Sequence, residues 1–334
     1  MKAIKFFAIT AMAAAMITSC STDDELSQSN YPSDNIIRVT AGVNNAKTRA
    51  EGAGTEMKND FSLTIVNKNA PKYTYTDKVF SKKSGDWACS ETLLWQNDKT
   101  PVDIVAFAPA QTGKFNGVCD NDGNIKPITY SVADDQSTSS DNNDLLYYYA
   151  PGFNPGTSLD EKGKLNIQFN HAFCMIDINV TLGTEFNKPK VLDDSPIVKV
   201  TLGGTKIAAN VDVTKAATSV VTASETAAAT DITTTKGTFT KAANAEVNAI
   251  SHFSCIAIPQ TVAANTFKVS LMTAGKRYEW TSDKEITLQS GYRYTLNLSM
   301  GNDVVLLKGG SGSDNGGISA TPWGPGTGGS LETE

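Results

Sequence analysis

The segment GYRYTLNLSM (residues 291–300) decides the fold class. From Tyr292 to Met300 its apolar residues alternate strictly with polar ones. Successive side chains of a β-strand point to opposite faces, so this period of two predicts a strand that is buried on one face. Gly291 stands just ahead of it, where a turn residue is expected.

The same alternation recurs upstream. Apolar and polar residues alternate from Phe267 to Leu271, and Ala274-Gly275 separates that run from the strand-like KRYEW (276–280), which predicts a hairpin. Further strands are predicted at 61–65, 102–106 and 125–132. Because helix-period stretches with caps are scarce, the predicted fold class is all-β, with antiparallel strands in sandwiches.

The run LNIQFNHAFCMIDINV (165–180) carries one irregularity. Its apolar residues occupy odd positions up to Phe169 and even positions from Ala172 onward. A pleated strand cannot change its buried face without a break, so the pattern predicts a β-bulge near Asn170-His171. The alternative is a central strand buried on both faces, which also accommodates Phe173.

The first residues have the layout of a lipoprotein signal. Lys2 and Lys5 precede an apolar run, 6–16, that is too short to cross about 30 Å of hydrocarbon as a helix. The run leads to Ile17-Thr18-Ser19-Cys20, which resembles a bacterial lipobox. Residues 1–19 are therefore predicted to be a signal peptide, and Cys20 to be the lipidated residue.

Composition divides the rest of the chain. The predicted divisions are a tether at 20–35, an N-terminal β-sandwich domain at 36–150, a linker at 151–164, a C-terminal β-sandwich domain at 165–300, and a Gly-rich tail with a candidate donor or closing strand at 301–334. The Ala- and Thr-dominated residues 214–249 are expected to add exposed hairpins or a long loop rather than core.

The net charge and the scarcity of catalytic and metal-ligating residues argue against several functions. The net charge is −6 and the pI is near 5.1, whereas nucleic-acid and polybasic membrane binding need clustered Lys and Arg. The chain has 2 histidines, and neither a Cys/His metal pattern nor a Ser-His-Asp arrangement is found. The prediction is a non-enzymatic protein without catalytic residues, cofactor, metal site or nucleic-acid partner.

Other chemical candidates have ordinary structural explanations. The segment DNDGN (120–124) lacks the spacing of a calcium loop and is predicted to be a hairpin turn. The tyrosines at 73, 75 and 147–149 are candidate sugar platforms, although aromatic residues in strands more often fill cores. His171 is expected to be packed or hydrogen-bonded. Four acids, Asp134, Asp135, Asp141 and Asp144, share a Ser/Thr-rich loop that is expected to be solvated, with loose binding of a cation as the alternative.

Apart from Cys20, the cysteines are Cys89, Cys119, Cys174 and Cys255. An even number in an exported chain permits disulfides in three connectivities, but buried free thiols are equally ordinary. The sequence leaves their state open.

Several motifs together resemble the fimbrillin family of the Bacteroidales, the subunits of type V pili. They are, in chain order, the lipobox, IIRVTAGVNNAKTRA (36–50), LLWQNDKTPVDIVAFAPA (93–110), DLLYYYA (144–150), FNHAFCMIDINV (169–180), IAIPQTV (256–262), GYRYTLNLSM and the terminal Trp323. The resemblance implies two tandem transthyretin-like β-sandwich domains. It also implies export as a lipoprotein and, in some members, proteolysis after an arginine that removes the lipid and the first strand. Arg49 and Ala50 match that processing site; an ordinary surface arginine is the alternative.

The functional hypothesis is a structural or adhesive subunit of a cell-surface pilus. By the resemblance, its partners are other pilus subunits through β-strand addition, the outer membrane through the lipid anchor before maturation, and host or bacterial surface ligands. The expected location is the outer membrane and cell surface, in the fimbrium. Two prolines and many glycines in the tail depart from an alternating donor strand, which leaves a tip or accessory subunit open. The alternative from another class is a glycan-binding surface lipoprotein of a nutrient-uptake system.

Overall fold

The computed structural model describes residues 30–44, 55–57, 59–138, 143–188, 190–301, 304–306 and 318–323. Cys20, Arg49, Ala50 and the predicted signal peptide lie outside the described residues. The described chain is almost entirely β-structure, which confirms the all-β prediction, while the number of domains stays a prediction.

The strands in chain order are β1 Val39–Val43, β2 Thr55–Glu56, β3 Phe61–Val66, β4 Tyr75–Lys83, β5 Asp86–Cys89, β6 Val102–Ala108, β7 Ile128–Ser131, β8 Leu146–Phe153, β9 Leu165–His171, β10 Cys174–Leu182, β11 Ile197–Gly203, β12 Ala208–Val211, β13 Val221–Ala223, β14 Ile232–Thr233, β15 Thr235–Thr240, β16 Ala249–Ala257, β17 Gln260–Val262, β18 Lys268–Thr273, β19 Arg277–Thr281, β20 Ile286–Leu288, β21 Tyr292–Met300, β22 Val304–Leu306 and β23 Ile318–Pro322. The helical pieces are α1 Pro155–Ser158 and the 3-10 turns Pro71–Tyr73, Asn116–Val118, Thr184–Phe186 and Ala217–Ser219.

Two large sheets organise these strands. The first sheet has the order β2-β1-β9-β8-β6-β3-β4-β5, and β1 runs parallel to β9. The second sheet has the order β15-β16-β10-β21-β22, with β23 also paired to β21. The smaller sheets are β14-β11-β18-β19, β13-β12-β7 and β17-β20. The β18–β19 hairpin is the one predicted from the sequence.

The alternation in GYRYTLNLSM corresponds to β21. Its inward side chains, from Tyr294 to Met300, are buried, and the residues between them are partly exposed. β21 lies parallel to β10, whose alternate residues from Cys174 to Leu182 are fully buried. The local period of two therefore identified a central strand of the second sheet.

The predicted bulge near Asn170-His171 is wrong. β9 ends at His171 in the first sheet, and β10 begins at Cys174 in the second. The apolar positions change parity because the chain passes from one sheet to another, and each sheet buries its own face. Phe173 lies at this crossing and is fully buried.

The buried side chains form two clusters. The first core surrounds Phe61, whose ring is within 5.5 Å of those of Phe80, Trp87 and Phe169. The second core combines buried side chains of the second sheet and the smaller sheets with Val105, Phe107 and Tyr147 from the first sheet. β9, assigned from sequence to the second domain, supplies the first core, and β7, assigned to the first domain, supplies the second. The predicted linker 151–164 holds the end of β8, α1 and the buried Leu159.

Candidate assembly site

The strand that precedes Arg49 in sequence lies near an edge of the first sheet. β1 pairs along its whole length with β9, from Val39 opposite Leu165 to Val43 opposite Phe169. On its other side is β2, which has two residues. Just upstream, Ile37 N donates to Leu93 O at 2.9 Å. Residues 35–44, here called the N-terminal segment, thus make backbone hydrogen bonds to β9 on one side and to β2 and Leu93 on the other.

The N-terminal segment contributes apolar side chains to the first core. Ile37 and Val39 are 5% and 3% exposed and belong to the first core, and Ala41 and Val43 pack against it. Beside them, on the neighbouring strand β9, the inward side chains of Leu165, Ile167 and Phe169 are fully buried. Without this segment, a sheet edge and an apolar groove would face water, which is the arrangement that accepts an added strand.

The ladder between β1 and β9 has a definite register. Leu165 N donates to Arg38 O at 2.8 Å, and Asn44 N donates to Phe169 O at 2.7 Å. In a parallel ladder, alternate residues of a strand bond to the same neighbour. The even-numbered residues therefore bond to β9, and the odd-numbered residues, whose side chains face the core, turn their N–H groups toward β2.

The C-terminal strand β23 occupies the edge of β21 in the second sheet. It runs antiparallel to β21, with Ile318 opposite Leu296 and Pro322 opposite Tyr292. Ala320 is 1% exposed, while Ile318 is partly buried against the second core. The strand thus closes its own subunit's sheet through one buried methyl group, one half-buried side chain and a backbone ladder.

A ring stack joins the end of β23 to the end of β9. The rings of His171 and Trp323 are parallel to within 8°, with centroids 3.9 Å apart. His171 Nδ1 lies 2.8 Å from Asp144 Oδ2, and Trp323 N donates to Gly291 O at 2.5 Å. Each ring belongs to a sequence motif, but no local pattern predicts their pairing, because the two residues lie far apart in the chain.

A cavity of about 370 Å³ borders this stack. Its lining includes His171 and Trp323 together with Asn44, the last residue of the N-terminal segment, and Asn170. Asn44 Nδ2 donates to Asn170 Oδ1 at 2.9 Å. The ends of β1, β9 and β23 therefore meet at one place, which is here called the junction.

The other candidates have structural roles. The 120–124 segment is a hairpin turn in which Asp120 accepts backbone N–H groups from Asp122 and Asn124. The tyrosines at 75 and 147–149 pack against the two cores. Among the acids of the Ser/Thr-rich loop, Asp144 binds His171 instead of solvent alone. Within the described ranges, no group of three or more His, Cys, Asp or Glu could hold a metal ion.

The four described cysteines are free thiols. Cys174 and Cys255 are fully buried, and Cys89 and Cys119 are partly exposed. Burial raises the pKa of both Cys174 and Cys255, because removal from water disfavours the thiolate. These two thiols therefore belong to the second core.

Comparison with known proteins defines the class. The chain has the fold of a candidate cell adhesion protein from Bacteroides ovatus, at a TM-score of 0.57 and 16% identity, covering 82% of this chain and 95% of that one. A second one, from Bacteroides uniformis, matches at a TM-score of 0.55 and 14% identity, covering 87% and 99%. A fimbrial protein from Bacteroides vulgatus gives a TM-score of 0.49 and 15% identity over 86% and 99%. No curated protein matches by sequence.

The chain thus shares its fold with the two Bacteroides proteins described as candidate cell adhesion proteins. The family model named fimbrillin-like matches residues 48–323, and the chain belongs to that family. Membership of this family indicates a pilus or adhesion subunit of a cell-surface appendage. In the described part of the chain, no helix is long and apolar enough to span a membrane.

Proposed function

We propose that this protein is a structural or adhesive pilus subunit that is exported as a lipoprotein through Cys20 and assembles by strand addition. In this proposal, cleavage between Arg49 and Ala50 releases the N-terminal segment, and β23 of a neighbouring subunit takes the place of β1 on β9. The single observation that carries the proposal is the correspondence between β1 and β23.

The two strands correspond in length and pattern. β1 reads VTAGV and β23 reads ISATP, five residues each. In parallel alignment, Ile318 and Ala320 take the inward positions of Val39 and Ala41. An incoming strand would then complete the ladder with β9 and refill the groove with apolar side chains.

The proline and tryptophan of the tail fit this alignment. Pro322 takes the position of Val43, whose N–H faces β2, so the donor that proline lacks is not one that β9 needs. Trp323 takes the position of Asn44, whose N–H reaches Phe169 O. Pro322 therefore does not prevent β23 from acting as a donor, which supports a polymerising subunit.

The opposite face of the added strand also has room. Thr321 takes the position of Gly42, where an added Cβ would lie 3.2 Å from Oε1 of Gln168. That atom is the end of a flexible side chain, so a small rotation of Gln168 accommodates threonine.

Cysteine pairs test the register between subunits. Gly42 lies opposite Gln168, and Thr40 lies opposite Asn166. We expect Thr321→Cys to cross-link with Gln168→Cys, and Ser319→Cys with Asn166→Cys, in multimers formed after processing. The off-register pair of Thr321→Cys with Asn166→Cys is the matched control and should cross-link poorly.

Two results would refute the proposal. One is equal cross-linking of the in-register and off-register pairs, with sites located by mass spectrometry. The other is surface-isolated protein that retains a lipidated Cys20 in every molecule and forms no SDS-resistant ladder. An Arg49→Gln variant serves as the unprocessed control and should remain monomeric.

A further inference from the structure

We propose that His171 is the receptor residue that holds the C-terminal strand β23 in its own subunit, by stacking on Trp323, and that loss of the N-terminal segment weakens this hold. The inference names the regulation of the assembly site, and it rests on the proposed function for its biological meaning. The contacts on which it rests lie within a single, unprocessed chain.

The stack joins side chains of two different sheets beside the point where the chain passes from β9 to β10. His171 ends β9 of the first sheet, whereas Trp323 follows β23 of the second. The rings overlap face to face at 3.9 Å. Aromatic contacts stabilise a structure beyond the apolar area that they bury. Trp323, like Ile318, is partly buried against the second core, so its stack on His171 adds a side-chain contact at this end of β23.

Asp144 positions the imidazole ring. Its Oδ2 lies 2.8 Å from His171 Nδ1, and the two side chains are 14% and 11% exposed. The other carboxylate oxygen, Oδ1, is buried and has no hydrogen-bond partner. A buried oxygen without a partner is costly. The Asp144–His171 pair therefore fixes the orientation of the imidazole ring more than it stabilises the fold.

The junction places the N-terminal segment beside the stack. Asn44 bonds to Asn170, the neighbour of His171, and lines the same cavity as both rings. Release of the chain up to Arg49 removes this wall and admits water to the edge of the stack. One cleavage would then open the acceptor groove on β9 and loosen the donor strand on β21.

Hydrogen exchange on the unprocessed monomer tests the hold directly. We expect Trp323→Ala and His171→Ala to speed amide exchange across β23 by about three- to tenfold, the factor corresponding to loss of one aromatic contact. Trp323→Phe keeps a ring and should stay near the wild-type rate. The matched control is His252→Ala, because His252 bonds to Asn179 on the second sheet, away from β23. Exchange in β3 and β6 should not change in any of them.

Processing supplies the second arm. Cleavage after Arg49 in the otherwise wild-type chain should raise β23 exchange, and Asn44→Ala should raise it partly without cleavage. The inference is overturned if Trp323→Ala leaves β23 exchange unchanged, or if His252→Ala accelerates it equally. If His171→Ala does not fold, Trp323→Ala decides. If the cross-links between subunits fail but Trp323→Ala still speeds hydrogen exchange in β23, the proposed assembly is rejected. The retention of β23 by the His171–Trp323 stack is then still supported.

Discussion

Ile37 offers a test of whether the N-terminal segment leaves the molecule on processing. Its side chain is 5% exposed and belongs to the first core. Replacing a buried isoleucine by alanine costs about 2–5 kcal/mol, from lost transfer free energy and the remaining cavity. Because Ile37 lies near a sheet edge where the chain can relax, we expect Ile37→Ala to cost about 2–3 kcal/mol in the unprocessed protein.

The same substitution should have no effect after processing, because the residue is then gone. The assay is urea unfolding followed by tryptophan fluorescence, to which Trp95 contributes; Trp95 lies in the first core, and its backbone N–H donates to Asn35 O at 2.8 Å. Each variant is measured before and after cleavage by an arginine-specific protease and removal of the released peptide. Val198→Ala, at a side chain that is 63% exposed, is the control and should shift stability by less than about 0.5 kcal/mol in both forms.

The reasoning fails under two results. A destabilisation by Ile37→Ala that persists after cleavage and purification would mean that the N-terminal segment stays bound, so that no groove opens. An unprocessed Ile37→Ala protein as stable as wild type would mean that Ile37 does not contribute to the first core.

Two further predictions concern thiols and acid. Iodoacetamide should label Cys89 and Cys119 in the folded protein long before Cys174 and Cys255, whose pKa values are raised by burial, and all four should react in denaturant; equal rates in the folded state would contradict the burial. Hydrogen bonds with Arg38 and Lys241 lower the pKa values of Asp34 and Asp193 to about 2. Unfolded aspartate titrates near 3.9, so the stability these exposed carboxylates add is present above about pH 4 and lost as the pH falls toward 2. In Lys241→Ala, thermal stability should decrease less steeply as the pH is lowered. A pH profile identical to that of the wild type would exclude a contribution from Asp193.

Local patterns were sufficient for several elements. The alternation from Tyr292 to Met300 identified β21, and Ala274-Gly275 identified the β18–β19 hairpin. The turn at 120–124 followed from its own side chains, since Asp120 bonds to N–H groups at most four residues away. Each of these features depends on neighbours in sequence, which is why composition and periodicity report them.

Features that depend on distant residues required the tertiary structure. A change of apolar parity after Phe169 is the same in sequence whether a strand bulges or the chain crosses to another sheet, and only the partners of β9 and β10 distinguish the two. The pairing of His171 with Trp323, and the meeting of both with Asn44, likewise arise from three strands converging in space.

The sequence by itself determined the β class, the family resemblance and the chemical types of residue available, because alternation and composition are properties of the local chain. The tertiary structure decided that the strand before Arg49 pairs with β9 beside the first core, and that the tail strand pairs with β21. Strand partners are chosen by long-range burial and backbone pairing, and these energies act between residues that the sequence leaves far apart.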